Sequence, residues 1–157
     1  MFRPMRRIRQ QLTQEDCARI LTSERRAALS VHGEDGYPYA VPVNFVYLPE
    51  ENAVAFHCAR EGHKLDAIRR DPRVCLTLWT DGEQREDWSY YVESVVVFGR
   101  AECVADEARR EAVARRLGNR YFPDPQMTED DIRGGLSRAE IVVITIDHMT
   151  GKLVHEK

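Results

Sequence analysis

The strongest indication of the fold is the segment Gly33-Glu34-Asp35-Gly36-Tyr37-Pro38-Tyr39-Ala40-Val41-Pro42-Val43-Asn44-Phe45-Val46-Tyr47. Residues 27–32 before it are largely apolar, and residues 37–47 are rich in aromatic and β-branched side chains. The Asp-Gly pair between them supplies the positive backbone φ that a tight turn requires, and the flanking runs favour strands. The stretch therefore predicts an antiparallel β-hairpin.

Four further segments have the composition of β-strands. They are rich in β-branched or aromatic residues, are bounded by polar residues or proline, and cover residues 53–59, 74–80, 90–104 and 140–147. Within the longest, Val95-Val96-Val97-Phe98 is continuously apolar, which predicts burial on both faces. Together with the hairpin they make six strands, and a closed or half-closed antiparallel barrel would hide most of their edges. We therefore expect a mainly β protein with short helices.

Two short helices are predicted next to strands. Thr13, followed by an acidic turn, is typical of the cap of a helix that ends near Ser23. Residues 63–70 form the second helix, which stops at Asp71 because Pro72 disfavours α geometry in the residue before it.

A third helix is predicted before the last strand. Residues 106–120 have an amphipathic pattern, and residues 128–131 start one more turn. We expect a single domain over residues 1–157, with an N-terminal arm at 1–12 and a helical segment at 105–138.

The composition is that of an ordinary globular protein. The chain has 157 residues, 43% hydrophobic and 31% charged, with a net charge of -3. Its four cysteines lie far apart, and three of them sit in apolar runs, which favours a reducing compartment. The basic N-terminus precedes a polar helix rather than an apolar signal core, and no stretch is long enough to span a bilayer. We expect a cytoplasmic protein with no membrane partner.

The first residues leave two interpretations open. Arg3, Arg6, Arg7 and Arg9 could form a nucleic-acid arm, or an arm that is solvated or clasps a partner chain. Because the chain as a whole is acidic, we favour the second interpretation and expect no nucleic-acid partner.

Common catalytic motifs are missing from the sequence. It has no Gly-rich nucleotide loop, no Gly-x-Ser-x-Gly, no Cys-x-x-Cys and no His-Glu-x-x-His. His57 and His63, with Cys58 between them, could gather a metal ion, but a carboxylate or third ligand at suitable spacing is lacking. We expect no metal site, and a structural or hydrogen-bonding role for His57.

One constellation of residues has the pattern of an anion-binding site: a predicted strand ending at Ala59, then Arg60-Glu61-Gly62-His63-Lys64, then a predicted helix. The first turn of a helix offers unpaired backbone N–H groups and the positive end of its dipole. Gly62 permits close approach, and His63 and Lys64 add donors and charge, so a phosphate group would fit. The ordinary alternative is a solvated lysine. On these residues alone, both interpretations stay open.

The constellation belongs to a wider pattern that resembles the flavin-binding split-barrel superfamily of pyridoxamine-phosphate oxidases, and within it the nitroimidazole-resistance (Nim) branch. The matching segments cover nearly the whole chain, and they are residues 2–7, 36–47, 56–64, 68–74, 94–101 and 147–152. The Gly-His-Lys segment is the most specific of them. The resemblance implies a six-stranded antiparallel split β-barrel of Greek-key type that binds FMN.

The resemblance also assigns the cofactor site. The residues that would contact the isoalloxazine ring and ribityl chain are Val41, Pro42, Val43, Asn44, His57, Cys58 and Ala59. His63 and Lys64 would hold the phosphate. His63 is also the catalytic candidate, because the matching histidine of the Nim branch is associated with the active site.

The family further implies a homodimer with flavin sites at the interface. Candidates to line that cleft from the partner chain are Trp79, Trp88, Tyr90 and Tyr91, and the alternative for these aromatics is plain core.

The function implied is that of an FMN-dependent oxidoreductase of the nitroimidazole-reductase type, which reduces a small organic (nitro) substrate. Pyridoxamine-phosphate oxidases carry an Arg-Lys pair where this chain has His63-Lys64, and an arginine and a lysine where it has Tyr39 and Asn44. They also carry a C-terminal substrate-binding segment that has no counterpart among these residues. The resemblance therefore does not imply oxidation of pyridoxamine phosphate. Two alternatives stay open: a haem- or flavin-binding split barrel without turnover, and a catalytically silent dimer.

Overall fold

The structure, a computed structural model, describes residues 1–85 and 88–156, and its centre is one antiparallel sheet. The strands are β1 Arg26–His32, β2 Pro38–Asn44, β3 Val46–Leu48, β4 Ala53–Ala59, β5 Arg73–Trp79, β6 Glu83–Gln84, β7 Tyr90–Cys103 and β8 Ala139–Glu156. The helices are α1 Gln14–Ser23, α2 His63–Arg70, α3 Glu107–Tyr121 and α4 Pro125–Gly135. The strand order is β2-β1-β5-β7-β8-β4-β3, with β6 paired to β7. The predicted mainly β antiparallel barrel with short helices is confirmed.

The predicted hairpin is formed by β1 and β2. Their register runs from Arg26 opposite Asn44 to His32 opposite Pro38. In the turn, Gly36 has φ +76°, and the Gly33 N–H donates to the Tyr37 carbonyl at 3.0 Å. The Asp-Gly pair thus makes the turn expected of it.

The second predicted strand, residues 37–47, is interrupted at Phe45. β2 ends one residue before it at one edge of the sheet, and β3 begins one residue after it at the other edge, paired with β4. The run therefore crosses from edge to edge and half-closes the barrel. This interruption and the two-residue β6 account for eight strands where the sequence predicts six.

β7 and β8 form the long central pair of the sheet. Their register extends from Tyr90 opposite Glu156 to Cys103 opposite Val142, with an irregularity at Phe98/Gly99. β8 therefore continues nine residues past the predicted end at 147, because its mixed polar second half takes its strand geometry from the ladder with β7. The predicted two-sided burial of residues 95–98 is wrong: Val95 and Val97 are buried, whereas Phe98 is 38% exposed.

Two apolar cores lie on opposite faces of the sheet. β4 shows the division, since Val54 and Phe56 enter the larger core inside the barrel while Ala53 and Ala55 enter the smaller one. α1 closes the larger core, and α3 covers the smaller one. The alternation of side chains along a strand is what lets a single segment serve both cores.

The helices begin at residues that the sequence marks. Thr13 caps α1 by accepting from the Asp16 N–H at 3.1 Å, and Asp124 caps α4 by accepting from the Gln126 N–H at 2.8 Å. α4 is longer than the predicted turn because it packs on α3, where Gly118 leaves room for the buried Thr128. No helix in residues 1–85 and 88–156 is long and apolar enough to cross a membrane.

Candidate functional site

The predicted phosphate constellation lies where β4 leads into α2. Gly62 precedes the helix with a backbone φ of +127°, a conformation that residues with a Cβ rarely adopt. The N–H groups of Leu65 and Asp66 donate to the Gly62 carbonyl at 2.9 and 3.1 Å. The N–H groups of His63 and Lys64 therefore precede the first intrahelical bond and point toward the open end of the helix.

A cavity of 510 Å³ opens beside this helix start, between β2 and β4. Its wall is made by the ends of both strands, the first residue of β1 and Lys64: Arg26, Pro42, Val43, Asn44, His57, Cys58, Ala59 and Lys64. Because β2 and β4 are not paired in the sheet, the gap between them is the opening of the half-closed barrel. Seven of the nine residues predicted to form the cofactor site meet here.

The other two predicted residues lie next to this cavity. Val41 lines a neighbouring cavity of 590 Å³, which shares Arg26, Pro42 and Asn44 with the first. His63 lines neither, because its ring stacks on Tyr39 of β2 with centroids 4.1 Å apart and planes 21° apart. Through this stack, the first residue of α2 is held against the edge strand.

Sequence reasoning missed Arg26. Its guanidinium is exposed at the start of β1, and it is the second cationic residue on the wall that holds Lys64. The signal that could have found it is the hairpin turn, because counting back from Gly33–Gly36 pairs Arg26 with Asn44. No carboxylate is among the residues that line this cavity, so its charge is positive.

Sequence reasoning also missed Tyr121, the last residue of α3. Its hydroxyl accepts from the Phe45 N–H at 2.9 Å and lies 2.8 Å from the Phe45 carbonyl. It also reaches the Arg25 carbonyl. One side chain therefore holds the interruption between β2 and β3 and, with it, the adjacent Asn44. A contact across 76 residues leaves no trace in the local sequence pattern.

The site holds neither an activated thiol nor a metal cluster. Burial raises the pKa of the Cys58 thiol, against a smaller lowering by the charge of Lys64, so the thiol stays protonated near neutral pH. All four cysteines are free. Within the described ranges, no three His, Cys, Asp or Glu side chains come together as metal ligands would. The arrangement is therefore suited to binding an anionic group rather than to nucleophilic chemistry of its own.

Several aromatic side chains are exposed near this region. Trp79, at the end of β5, is 57% exposed and lines the 590 Å³ cavity together with Val41 and Pro42. Trp88 and Tyr90 are 68% and 40% exposed, while Tyr91 is half-buried and stacks on His155 at 4.3 Å. Plain core is therefore the wrong interpretation for Trp79, Trp88 and Tyr90.

A third cavity, of 530 Å³, adjoins the first. The two share Asn44, His57, Cys58 and Ala59, so one stretch of wall faces both. The remaining wall of this third cavity is formed by α3, α4 and the start of β8.

The sequence matches a family model, and the fold matches solved structures. A model of the family described as pyridoxamine 5'-phosphate oxidase matches residues 13–153, and no curated protein matches the chain by sequence. A crystal structure of a candidate 5-nitroimidazole antibiotic resistance protein from Bacteroides thetaiotaomicron is similar, with a TM-score of 0.79 and 20% identity over 93% of this chain and 87% of that one.

Two further structures share the fold. One is a FAD-binding protein from Mesorhizobium loti, with a TM-score of 0.64 and 22% identity over 92% of this chain and 96% of that one. The other is a FAD and haem binding protein from Mycobacterium smegmatis, with a TM-score of 0.72 and 21% identity over 92% of this chain and 73% of that one. At these identities the likeness establishes the split-barrel fold.

Proposed function

Since the chain belongs to the pyridoxamine 5'-phosphate oxidase family, we propose that it binds FMN and is an oxidoreductase that reduces a small organic substrate of the nitro type. The observation that carries this proposal is the cavity between the unpaired strands β2 and β4, which reaches Lys64 at the start of α2. The two ends of that cavity suit two different parts of the cofactor.

The helix end suits a phosphate. Lys64 supplies a positive charge, and the N–H groups of His63 and Lys64 supply backbone donors at the positive end of a helix. Arg26 adds a second cation to a wall that carries no carboxylate. A phosphate monoester, with its two negative charges, is the group that such a set of donors binds best.

The strand end suits a flat, polar ring. β2 pairs with β1 along one side, so the backbone groups on its other side are available to a ligand. Pro42 has no N–H to leave unpaired there, and the exposed Asn44 amide can both donate and accept. The cavities along this edge, 510 and 590 Å³, fall in the size range of small-molecule sites, which is about 300–1,000 Å³.

The bound cofactor would supply the electron transfer: two electrons from an external reduced donor such as a nicotinamide, with two protons, convert a nitro group into a nitroso group and water. The protein's part is binding and orientation. Backbone N–H groups of β2 near the ring would favour negative charge on it, and the His63 ring is held beside this edge strand by its stack on Tyr39.

The site would be completed by a second copy of this chain. Trp79 is exposed beside Val41 and Pro42, and Phe98 is exposed on the outer face of β7. A partner that covers this face would bury both aromatics and close the ring end of the cavity. We therefore propose a homodimer with its flavin sites at the interface.

Replacement of Lys64 tests whether this site binds the FMN phosphate. Lys64→Ala should weaken FMN binding by about 10- to 100-fold, because a charge-assisted contact is worth about 1.5–3 kcal/mol. Riboflavin, which lacks the phosphate, should bind the variant and the wild type alike. Both affinities can be measured from the quenching of flavin fluorescence.

Lys152→Ala is the matched control, since Lys152 lies on β8 and is not on the wall of this cavity. Equal FMN affinity of Lys64→Ala and wild type would remove the phosphate role. The absorption spectrum of the purified protein tests the identity of the cofactor. Flavin bands at about 370 and 450 nm agree with the proposal, whereas a Soret band would show haem binding and contradict it.

A further inference from the structure

The third cavity, between the sheet and the helical pair α3–α4, has a different chemistry from the proposed cofactor site. Most of its wall is apolar, and the apolar side chains that form it are Ala114, Leu117, Tyr121, Phe122, Ile132, Leu136 and Ile141. At 530 Å³ it is as large as the cavity beside Lys64. It has no lysine on its wall and one arginine, Arg138.

Apart from the Tyr121 hydroxyl, which is bonded to the backbone of Phe45, the polar and charged side chains of this cavity lie in two places. Asn44 and His57 lie on the wall shared with the proposed flavin site, and the exposed Asp131 and Arg138 lie on the helical side. The two charges have opposite signs, so they favour neither an anion nor a cation. A ligand here would therefore be uncharged, with an apolar body and one polar group that faces Asn44 and His57.

The cavity is held open by contacts of the helices with each other and with β8. Gly118 of α3 faces Thr128 of α4 so closely that an added Cβ would lie 2.5 Å from Thr128 Cγ2. The buried Arg110 of α3 donates to Glu140 at 2.9 Å and to the carbonyls of Leu136 and Ala139 at 3.1 and 2.8 Å. These contacts hold the segment between α4 and β8 in place, and with it the helical side of the cavity wall.

We propose that this cavity binds the oxidised substrate, as a flat, uncharged aromatic molecule whose reducible group faces Asn44 and His57. The inference rests on the proposed function, because the shared wall would then bring that group next to the flavin ring. A small nitroaromatic or a quinone has the required chemistry: an apolar ring and uncharged oxygen acceptors that a side-chain amide can reach.

Filling the cavity tests the inference. Ala114 of α3 is half-buried on the cavity wall, and Ala108 of the same helix is exposed and is not on that wall. With FMN-loaded protein that is reduced by one equivalent of dithionite and then mixed with nitrobenzene as oxidant, Ala114→Trp should raise the apparent KM for nitrobenzene at least tenfold. Ala108→Trp should match the wild type within about twofold, because it places the same side chain in solvent.

Binding of nitrobenzene to flavin-free protein, measured by isothermal titration, separates this inference from the proposed function. Loss of binding in Ala114→Trp but not in Ala108→Trp supports the cavity as the aromatic site, even if the protein proves unable to hold FMN. Equal binding and equal KM in both variants would overturn the inference while leaving FMN binding untouched. A large loss of FAD affinity in Ala114→Trp without a loss of FMN affinity would also overturn it, since the cavity would then hold the adenosine of FAD.

A second pair of variants covers the case in which Ala114→Trp does not fold. Ile132→Glu puts a charge on the half-buried apolar wall, and Met127→Glu puts the same charge on an exposed site of the same helix. The first should weaken nitrobenzene binding at least tenfold, and the second should not. Equal binding in this pair would contradict the inference as well.

Discussion

His63 and Tyr39 show what two single residues do at the start of α2. Both occupy positions where pyridoxamine-phosphate oxidases are expected to carry arginines, and here their rings stack with centroids 4.1 Å apart. The stack holds the first residue of α2 against β2. The histidine ring is stacked on Tyr39. In our proposal the phosphate is therefore bound by Lys64 and by the backbone N–H groups at the start of α2, while an active-site role of His63 stays a prediction.

For His63→Ala we expect slow oxidation of dithionite-reduced, flavin-loaded protein by nitrobenzene, with FMN affinity changed by less than about threefold. The physical reason is that the ring stacks on Tyr39 of the edge strand and is not on the wall that holds Lys64, so its loss changes the side of the proposed ring site but removes none of the proposed phosphate contacts. Stopped-flow absorbance measures the rate. His32→Ala, at an exposed position on β1, is the control, and an unchanged rate in His63→Ala would exclude an active-site role.

At the scale of elements, the end of α3 sets the conformation of an edge strand. The Tyr121 hydroxyl holds both backbone polar groups of Phe45, the residue at which β2 gives way to β3. A helix that the sequence predicts from its own amphipathic pattern therefore determines where a strand 76 residues earlier is broken.

Tyr121→Phe should lower the free energy of unfolding by about 1–3 kcal/mol, because the Phe45 N–H loses its partner in a part-buried position. FMN affinity should fall with it, since Asn44 is the next residue along the chain. Urea denaturation and flavin titration measure the two effects. Tyr47→Phe, at a half-buried tyrosine of β3, serves as control; a Tyr121→Phe protein with wild-type stability would show that the hydroxyl is dispensable.

Asp71 joins the end of α2 to β5 and predicts a dependence of stability on pH. Hydrogen bonds from the Arg73 side chain and N–H hold the pKa of Asp71 well below its ordinary value of 3.8. A lowered folded-state pKa stabilises the fold fully above the unfolded value, and this stabilisation is lost as the pH falls through the folded value.

Asp71→Asn should therefore lower the urea midpoint at pH 7, and the difference from wild type should shrink between about pH 4 and pH 2. Asp35→Asn, in the exposed hairpin turn, provides the comparison. A difference that stays constant over this pH range would mean that the Asp71 carboxylate charge contributes nothing.

For the molecule as a whole, the outer side of β5 and β7 carries two aromatic side chains, Trp79 and Phe98, that stay partly exposed in the single chain. Phe98→Glu should convert the proposed homodimer into a monomer, because a buried, unpaired carboxylate is costly at an interface. Light scattering after size exclusion gives the mass. Met127→Glu changes an even more exposed apolar side chain, on α4, and should leave the mass unchanged. A monomeric wild type at micromolar concentration would contradict the dimer.

The same measurement bears on the cofactor. If the flavin sites lie at the interface, the monomeric variant should also lose FMN affinity, because Trp79 and the neighbouring strand edge would face solvent. Retention of full FMN affinity by a Phe98→Glu monomer would place the site within one chain.

Local sequence patterns are sufficient to predict the hairpin, the mainly β barrel and the start of α2. Each of these depends on near neighbours: an Asp-Gly turn, alternating apolar residues, and a glycine before a cationic helix start. Four further features could be found only in the folded chain: the break at Phe45, the extension of β8 to Glu156, the position of Arg26 and the apolar cavity under α3–α4. They arise from pairings between segments far apart in the chain, such as Tyr121 with Phe45, whose contact no local pattern encodes.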